Sequence, residues 1–251
     1  MNVDRYLERL ELPPKSDTSL RRLKVLHERH LLAVPFENLD VVRGVAIKLD
    51  VDAFFDKVVV RRRGGFCFEL NGLFGALLEE LGYPVTRIAA RVHGPDGTPG
   101  LEFGHMALLV EAEGRRYLAD VGFGDAFIHP LPLEIGGSWT QLSGRYRLSE
   151  GEDGVVYEAV DRDTGEFRPT YSFADTPRRL EDFAEGCAFH QSSPESMFTK
   201  GPVCTKAIPD GRVTLTREKL VVTRRGRRDE TAIDGDVAFT EALNRHFGVV
   251  L

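Results

Sequence analysis

The sequence predicts an α+β fold: helical at the start, antiparallel β in the middle, mixed at the end. Three observations predict it. Apolar residues recur at helical spacing through the first third, between Pro and Gly breaks. After Tyr83-Pro84 the texture changes to short β-rich runs separated by turn signals. The last segment then mixes strand-like runs with one more helical pattern.

A short helix is expected over 4–10 and is stopped by Pro13-Pro14. Ser16, Asp17 and Thr18 offer N-caps for a second helix, whose apolar positions are Leu20, Leu23, Leu26 and Leu31. Val34-Pro35 ends it, because the residue before proline is driven out of helical geometry. A third helix begins after Gly64-Gly65. Phe66, Leu70, Leu73, Phe74, Leu77, Leu78 and Leu81 form its apolar stripe, and Gly82 is placed to cap it. Turn signals at Pro95-Asp96-Gly97, Glu113-Gly114, Gly136-Gly137 and Glu152-Asp153-Gly154 divide residues 85–185 into strands of an antiparallel sheet or partly closed barrel. Strands at 213–215 and 220–223 and a helix near 238–247 follow. No repeat or low-complexity linker interrupts the chain. Three regions, 1–84, 85–186 and 187–251, are expected to pack as one unit.

The 251 residues, 42% hydrophobic and 29% charged, suffice for a sizeable core. A net charge of −6 gives no overall attraction to nucleic acid or to an anionic membrane, and neither is expected as a partner. No apolar run approaches the roughly 20 residues that span a bilayer. The N-terminal stretch is charged and amphipathic, without the apolar core of a secretory signal, so the cytosol is the expected location. Three cysteines without CxxC spacing suit a reducing compartment better than a disulfide framework.

Cys67 stands in Arg-Gly-Gly-Phe-Cys-Phe-Glu-Leu-Asn at 63–71, where loop becomes helix. Unpaired backbone N–H groups at a helix start stabilise a thiolate, so the thiol is expected to be acidic relative to the free value of ~8.5. A buried, inert cysteine on the apolar side fits the same segment. Cys187 and Cys204 lack such a setting and are expected to be structural. A nucleophilic thiol needs a base, and the base an orienting group. His27 and His30 have i, i+3 spacing with no further ligand nearby, and they are expected on a solvated helix face rather than at a metal. His93 and His129 lie beside turns, and His246 is near the end.

His105 opens a strand running to Glu111, and a second strand runs from Arg116 to Asp120 and Gly122 after the Glu113-Gly114 turn. In the simplest hairpin register, residue 105 faces 122 and 107 faces 120. His105 and Asp120 are then diagonal neighbours on one face, with Cα atoms ~7–8 Å apart. The other face, Met106, Leu108, Val110, Tyr117, Ala119 and Val121, is expected to meet the core, leaving the mixed face to line a site. A histidine paired with a carboxylate for structural reasons is the alternative.

The residues so assembled resemble the arylamine N-acetyltransferase family, whose cysteine lies in Arg-Gly-Gly-x-Cys-x-Glu-x-Asn, matched throughout by 63–71. Val-Pro-Phe-Glu-Asn-Leu-Asp at 34–40, His-Met-Ala-Leu-Leu-Val from 105 and Asp-Val-Gly-Phe-Gly at 120–124 resemble further family segments. So do Ser-Pro-Glu-Ser-Met-Phe at 193–198 and the Thr-Lys-Ala-Ile-Pro-Asp-Gly-Arg run near 205–212. The resemblance is collinear over nearly the whole chain. It implies a helical bundle, a β-barrel-like middle and a C-terminal α/β lid around a cysteine-proteinase-like core, with Cys67, His105 and Asp120 as catalytic triad. It implies ping-pong transfer of an acetyl group from acetyl-CoA, a cosubstrate, through acetyl-Cys67 to an arylamine, arylhydrazine or N-hydroxyarylamine, as in xenobiotic metabolism, with no metal. Phe36, Phe123 and Gly104 are the expected substrate-binding residues, and Phe103 and Gly124 the expected CoA-side ones. Relatives commonly carry a hydroxyl residue before the histidine, where this chain has Gly104. An amide synthase or cysteine hydrolase with the same triad, or a non-catalytic CoA- or arylamine-binding relative, are the alternatives.

Overall fold

The computed structural model describes residues 1–14 and 17–251. Helix α1 (Val3–Arg9) starts on the Asn2 side chain, which accepts from the Arg5 amide. Helix α2 (Leu20–Ala33) starts on Ser19, not on Asp17 or Thr18; Ser16 lies outside the described residues. Strand β1 (Phe36–Glu37), α3 (Leu39–Val42) and α4 (Val51–Phe55) follow, the last continuing into a π-turn at Asp56–Val60. None of these was expected. Helix α5 (Cys67–Glu80) begins on Cys67 itself and ends before Gly82, whose φ is +91°. It is buried on nearly every side, Glu69 and Asn71 included, so its apolar residues are more than a stripe. This is the central helix of the main core.

The middle region is β2 (Val85–Val92), β3 (His105–Ala112), β4 (Arg115–Ala119), β5 (Leu131–Pro132), β6 (Ser138–Gln141), β7 (Gly144–Gly151), β8 (Gly154–Val160) and β9 (Phe167–Phe173). These form one antiparallel sheet in the order β5-β4-β3-β2-β9-β8-β7-β6. It curls around a second core, to which Leu131 of one edge strand and Trp139 of the other both belong. All four predicted turns join strands of this sheet.

The last region holds α6 (Ala184–Ser192), β10 (Val203–Ile208), β11 (Gly211–Thr216), β12 (Lys219–Arg224), β13 (Arg227–Ala232) and α7 (Gly235–Phe247). Its sheet runs β1-β10-β11-β12-β13, so it takes in Phe36↔Thr205 and Glu37↔Cys204 from the N-terminal third. Helix α7 covers it through Phe239, Leu243 and Phe247. Among the described residues no helix is long and apolar enough to cross a membrane, and no cluster of His, Cys, Asp and Glu could hold a metal ion.

Candidate active site

The loop before Cys67 is clamped against 35–37. A Cβ on Gly64 would stand 2.0 Å from the Pro35 carbonyl oxygen, so only glycine allows the approach. The Glu37 amide donates to the Gly65 carbonyl at 2.9 Å. Five buried charges then tie the loop down. Arg63 meets Glu37 at 2.8 Å and Asp40 at 3.0 Å, while Lys57 meets Asp40 at 2.8 Å and Glu69 at 2.9 Å. Glu69 also accepts from the Phe66 amide at 3.1 Å, satisfying one of the orphan donors at the start of α5. Burial works against the Lys57 ammonium, but Glu69, Glu37 and Asp40 outweigh it and its pKa rises. Burial pushes the Glu69 carboxyl up to about 7, with Lys57 pulling the other way. The charged residues of the 34–40 and 63–71 motifs thus join Lys57 in one ion network that fixes where α5 begins.

The β3–β4 hairpin has the expected register, with Leu108 facing Ala119 and Val110 facing Tyr117. Its loop is two residues, Glu113 at φ +53° and Gly114 at φ +72°, the left-handed pair of a type I′ turn. His105 and Asp120 therefore share a face, and His105 Nε2 lies 2.7 Å from Asp120 Oδ2. The Asp120 Oδ1 accepts from Asn71 Nδ2 at 2.8 Å and from the Gly122 amide at 2.9 Å. Burial would raise the Asp120 pKa, but His105, Asn71 and the Gly122 amide outweigh it and hold it below the usual range. The face opposite Asp120 meets the main core as expected. The mixed face is not an open lining, however. Its Ala107, Leu109 and Leu118 fill the second core inside the curled sheet. His105 and Asp120 stand at the end of that face, where the chain leaves the ladder.

Gly122 joins the two halves. A Cβ there would stand 2.8 Å from Cys67 Cα and 2.7 Å from Asn71 Nδ2. The segment after Asp120 thus lies directly on the first turn of α5. Cys67, His105 and Asp120 are 3%, 2% and 0% exposed. The His105 Nδ1 takes no hydrogen bond among the described residues, while Nε2 is committed to Asp120. At Cys67 the helix start is opposed by burial. Burial pushes the thiol up and the Asp120 charge adds to that, against the amides of Met106 and Phe68. A lone thiolate is disfavoured here.

Phe123 packs edge-on against the His105 ring at 5.4 Å. Phe36 is 8% exposed and belongs to the main core, with its ring 5.8 Å from Phe198. Gly124 abuts Phe36 and Thr205, whereas Phe103 packs on Phe183 at 5.5 Å under the Arg178 guanidinium. The two expected CoA-side residues thus have separate neighbourhoods. A Cβ on Gly104 would sit 2.9 Å from the Leu101 carbonyl oxygen, and the Gly104 carbonyl accepts from His190 Nε2 at 2.8 Å. The tight turn leaves no room for a hydroxyl side chain there. His27 and His30 are not on a solvated face: both are 0% exposed, in contact with Phe74. Cys187 and Cys204 are buried, as expected. Asn71 and Gly122 lie within the 63–71 and 120–124 motifs, where nothing local marks their roles, and the burial of His27 has no local signal.

The helix that begins with Cys67 thus meets the segment that follows Asp120, whose carboxylate holds His105; thiol, imidazole and carboxylate are the groups that thiol acyl-transfer chemistry uses. The N-acetyltransferase family model matches residues 19–251. The arylamine N-acetyltransferase of Mycolicibacterium smegmatis is 35% identical over 100% of this chain and 93% of its own length. Human arylamine N-acetyltransferase 1 is 32% identical over 92% of this chain and 86% of its own. The structure of Mycobacterium marinum arylamine N-acetyltransferase in complex with CoA superposes with a TM-score of 0.92 at 35% identity, covering 99% of this chain and 93% of that one. The chain belongs to the arylamine N-acetyltransferase family.

Proposed function

We propose that this enzyme carries an acetyl group from acetyl-CoA on Cys67 to an arylamine, arylhydrazine or N-hydroxyarylamine, with His105 as base and Asp120 as its orienting group. The observation that carries the reading is the 2.7 Å bond from His105 Nε2 to Asp120, which leaves Nδ1 uncommitted, while the segment after Asp120 lies on the first turn of α5. The M. marinum relative's complex with CoA supports the donor.

In this reading His105 takes the Cys67 proton as sulfur attacks the thioester carbonyl. The Cys67 amide, at the helix start and without a helical acceptor, is available to the developing oxyanion. Collapse expels the CoA thiolate, which His105 reprotonates. The amine then attacks acetyl-Cys67, His105 removes its proton, and the thiolate leaves. Asp120 stabilises the imidazolium at each half-reaction and fixes its tautomer. Phe123 and Phe36 are proposed as walls for a flat acceptor, Gly104 as backbone lining beside it, and Phe103 and Gly124 as CoA-side contacts. The site is proposed to lie where regions 1–84, 85–186 and 187–251 meet, in a cytosolic enzyme acting on xenobiotic amines.

The test is to mix the protein with acetyl-CoA and no amine. A burst of about one free CoA per site, with one acetyl group mapped to Cys67 and discharged by an aminobenzoate or a hydrazine, is expected. Steady CoA release indifferent to amine, with free acetate as product, would identify a hydrolase instead. No release at all would leave a binding protein. An amide synthase would be charged by a different acyl donor.

A further inference from the structure

The mechanism above leaves two fully buried histidines, His27 and His30, unused, and the first of them touches the triad. His27 projects from α2 and is 0% exposed. Its Nε2 lies 3.0 Å from the backbone nitrogen of Asp120, and its Nδ1 lies 2.7 Å from the Ile128 carbonyl oxygen. An amide can only donate and a carbonyl can only accept, so the tautomer is determined: Nδ1 carries the proton and Nε2 accepts. Burial holds the ring neutral, its pKa lowered to about 4 against the opposing pull of the Ile128 carbonyl and Asp120. The ring lies nearly parallel to Phe127 at 5.6 Å and edge-on to Phe74 at 5.9 Å.

The position of this contact gives it meaning. The last rung of the β3–β4 ladder is Leu108↔Ala119, so the Asp120 amide falls one residue past the sheet, buried and without a strand to accept it. His27 replaces the missing strand, reaching from 93 residues away in sequence. Through Nδ1 it also grips Ile128, the far end of the loop that carries Gly122 and Phe123. The Asp120 carboxylate is held by Asn71 and Gly122, and its peptide by His27, so the direction of Oδ2 toward His105 is fixed from both ends. A neutral ring does this without competing for the Asp120 charge. The titratable groups that bear on it are Asp120, His129 and His30.

We infer that His27 is a positioning residue for the acyl transfer proposed above, holding the Asp120 backbone so that its carboxylate stays aimed at His105. The inference rests on that reading of the triad. It requires that loss of the acceptor at Nε2 disturb His105 and Cys67 chemistry, not stability alone.

The test uses His27→Phe, which keeps the ring stack and removes both hydrogen bonds, and His27→Gln, which can restore them. For the Phe variant, kcat per folded molecule is expected to fall by about tenfold to a hundredfold with the donor KM little changed. The pH profile of Cys67 alkylation should move to higher pH. The Gln variant should return kcat to within about threefold of the parent and restore the profile. A folded Phe variant with the parental kcat and profile would overturn the inference, as would a folded Gln variant as slow as a Phe one. If the Phe variant does not fold, the Gln variant and the parent decide. In the parent, nitrogen NMR should show His27 Nε2 unprotonated throughout pH 5–8; a ring protonated at Nε2, or titrating in that range, overturns it. Cys67→Ala and Asp120→Asn serve as references. If they acetylate arylamines at near-parental rates, the triad reading has failed instead, whatever His27 does.

Discussion

Asn71 holds Asp120 from the helix that begins with Cys67: its Nδ2 lies 2.8 Å from Asp120 Oδ1 and 2.6 Å from the Met106 carbonyl oxygen. Its Oδ1 accepts from the Val121 amide at 2.9 Å. One buried side chain therefore ties α5, β3 and the segment after β4 together. Asn71→Ala should lower both stability and activity, because it strands buried polar groups at roughly 1–3 kcal/mol each. Urea melts and acetylation rates per folded molecule check this. A variant that loses neither would mean that the three elements hold their places without it.

Asp120→Asn should keep the fold and remove most activity. An amide can occupy the space and still accept from Gly122, but it can neither charge His105 nor select its tautomer. A loss of about 10²–10⁴ in arylamine acetylation is expected, in line with the same change in other triads. Near-parental turnover with a normal melt would remove Asp120 from the mechanism.

The Cys67 thiol, raised by burial and by Asp120 when it stands alone, should ionise easily only as a pair with protonated His105. The alkylation rate rises with the thiolate fraction. The parent should therefore show an apparent pKa below ~8.5 with iodoacetamide, and His105→Gln one well above it. Equal profiles in the two proteins would show that no such pair forms. Cys187 and Cys204 should react more slowly than Cys67 in both.

Glu69 should make stability fall as pH rises. Its carboxyl is pushed up to about 7 in the folded chain, so its contribution is fully present below its ordinary carboxylate pKa and is lost as pH climbs through 7. His27, lowered to about 4, acts in the opposite sense, costing stability as pH falls below its ordinary value. Comparison with Glu69→Gln isolates the first effect. Between pH 5 and 8 the parent should lose stability relative to the variant, with most of the loss below pH 7. Denaturant midpoints measured in parallel at each pH read it, and superimposable pH curves would show that Glu69 is ionised throughout.

What was legible in the sequence was local. The β3–β4 register followed from an even loop closed by Gly114, and the two-residue turn then put His105 and Asp120 on one face. The helix starting at Cys67 followed from the glycines before it and the apolar spacing after it. What failed to show was set by distant contacts. His27 and His30 sit at a spacing that suits an exposed face, and only packing against Phe74, Phe127 and the Asp120 loop buries them. Strand β13, Arg227–Ala232, is exposed along its whole length and shows no alternation, so no periodicity announces it. Strand β1 is two residues long and owes its extended form to partners distant in sequence, β10 on one side and Gly65 on the other.

That pairing has a consequence for how the polypeptide is made. The Asn38 side chain accepts from the Val203 amide, 165 residues later, next to the rungs Phe36↔Thr205 and Glu37↔Cys204. While the chain emerges from the ribosome, the helical third and the barrel can assemble, but the edge at 36–37 stays open until the last strands arrive. Contacts this far apart are the slow ones to form. Ribosome-stalled or prematurely terminated products would therefore carry an uncovered strand edge beside the Cys67 loop, and cellular quality control would meet them as sticky, unfinished molecules.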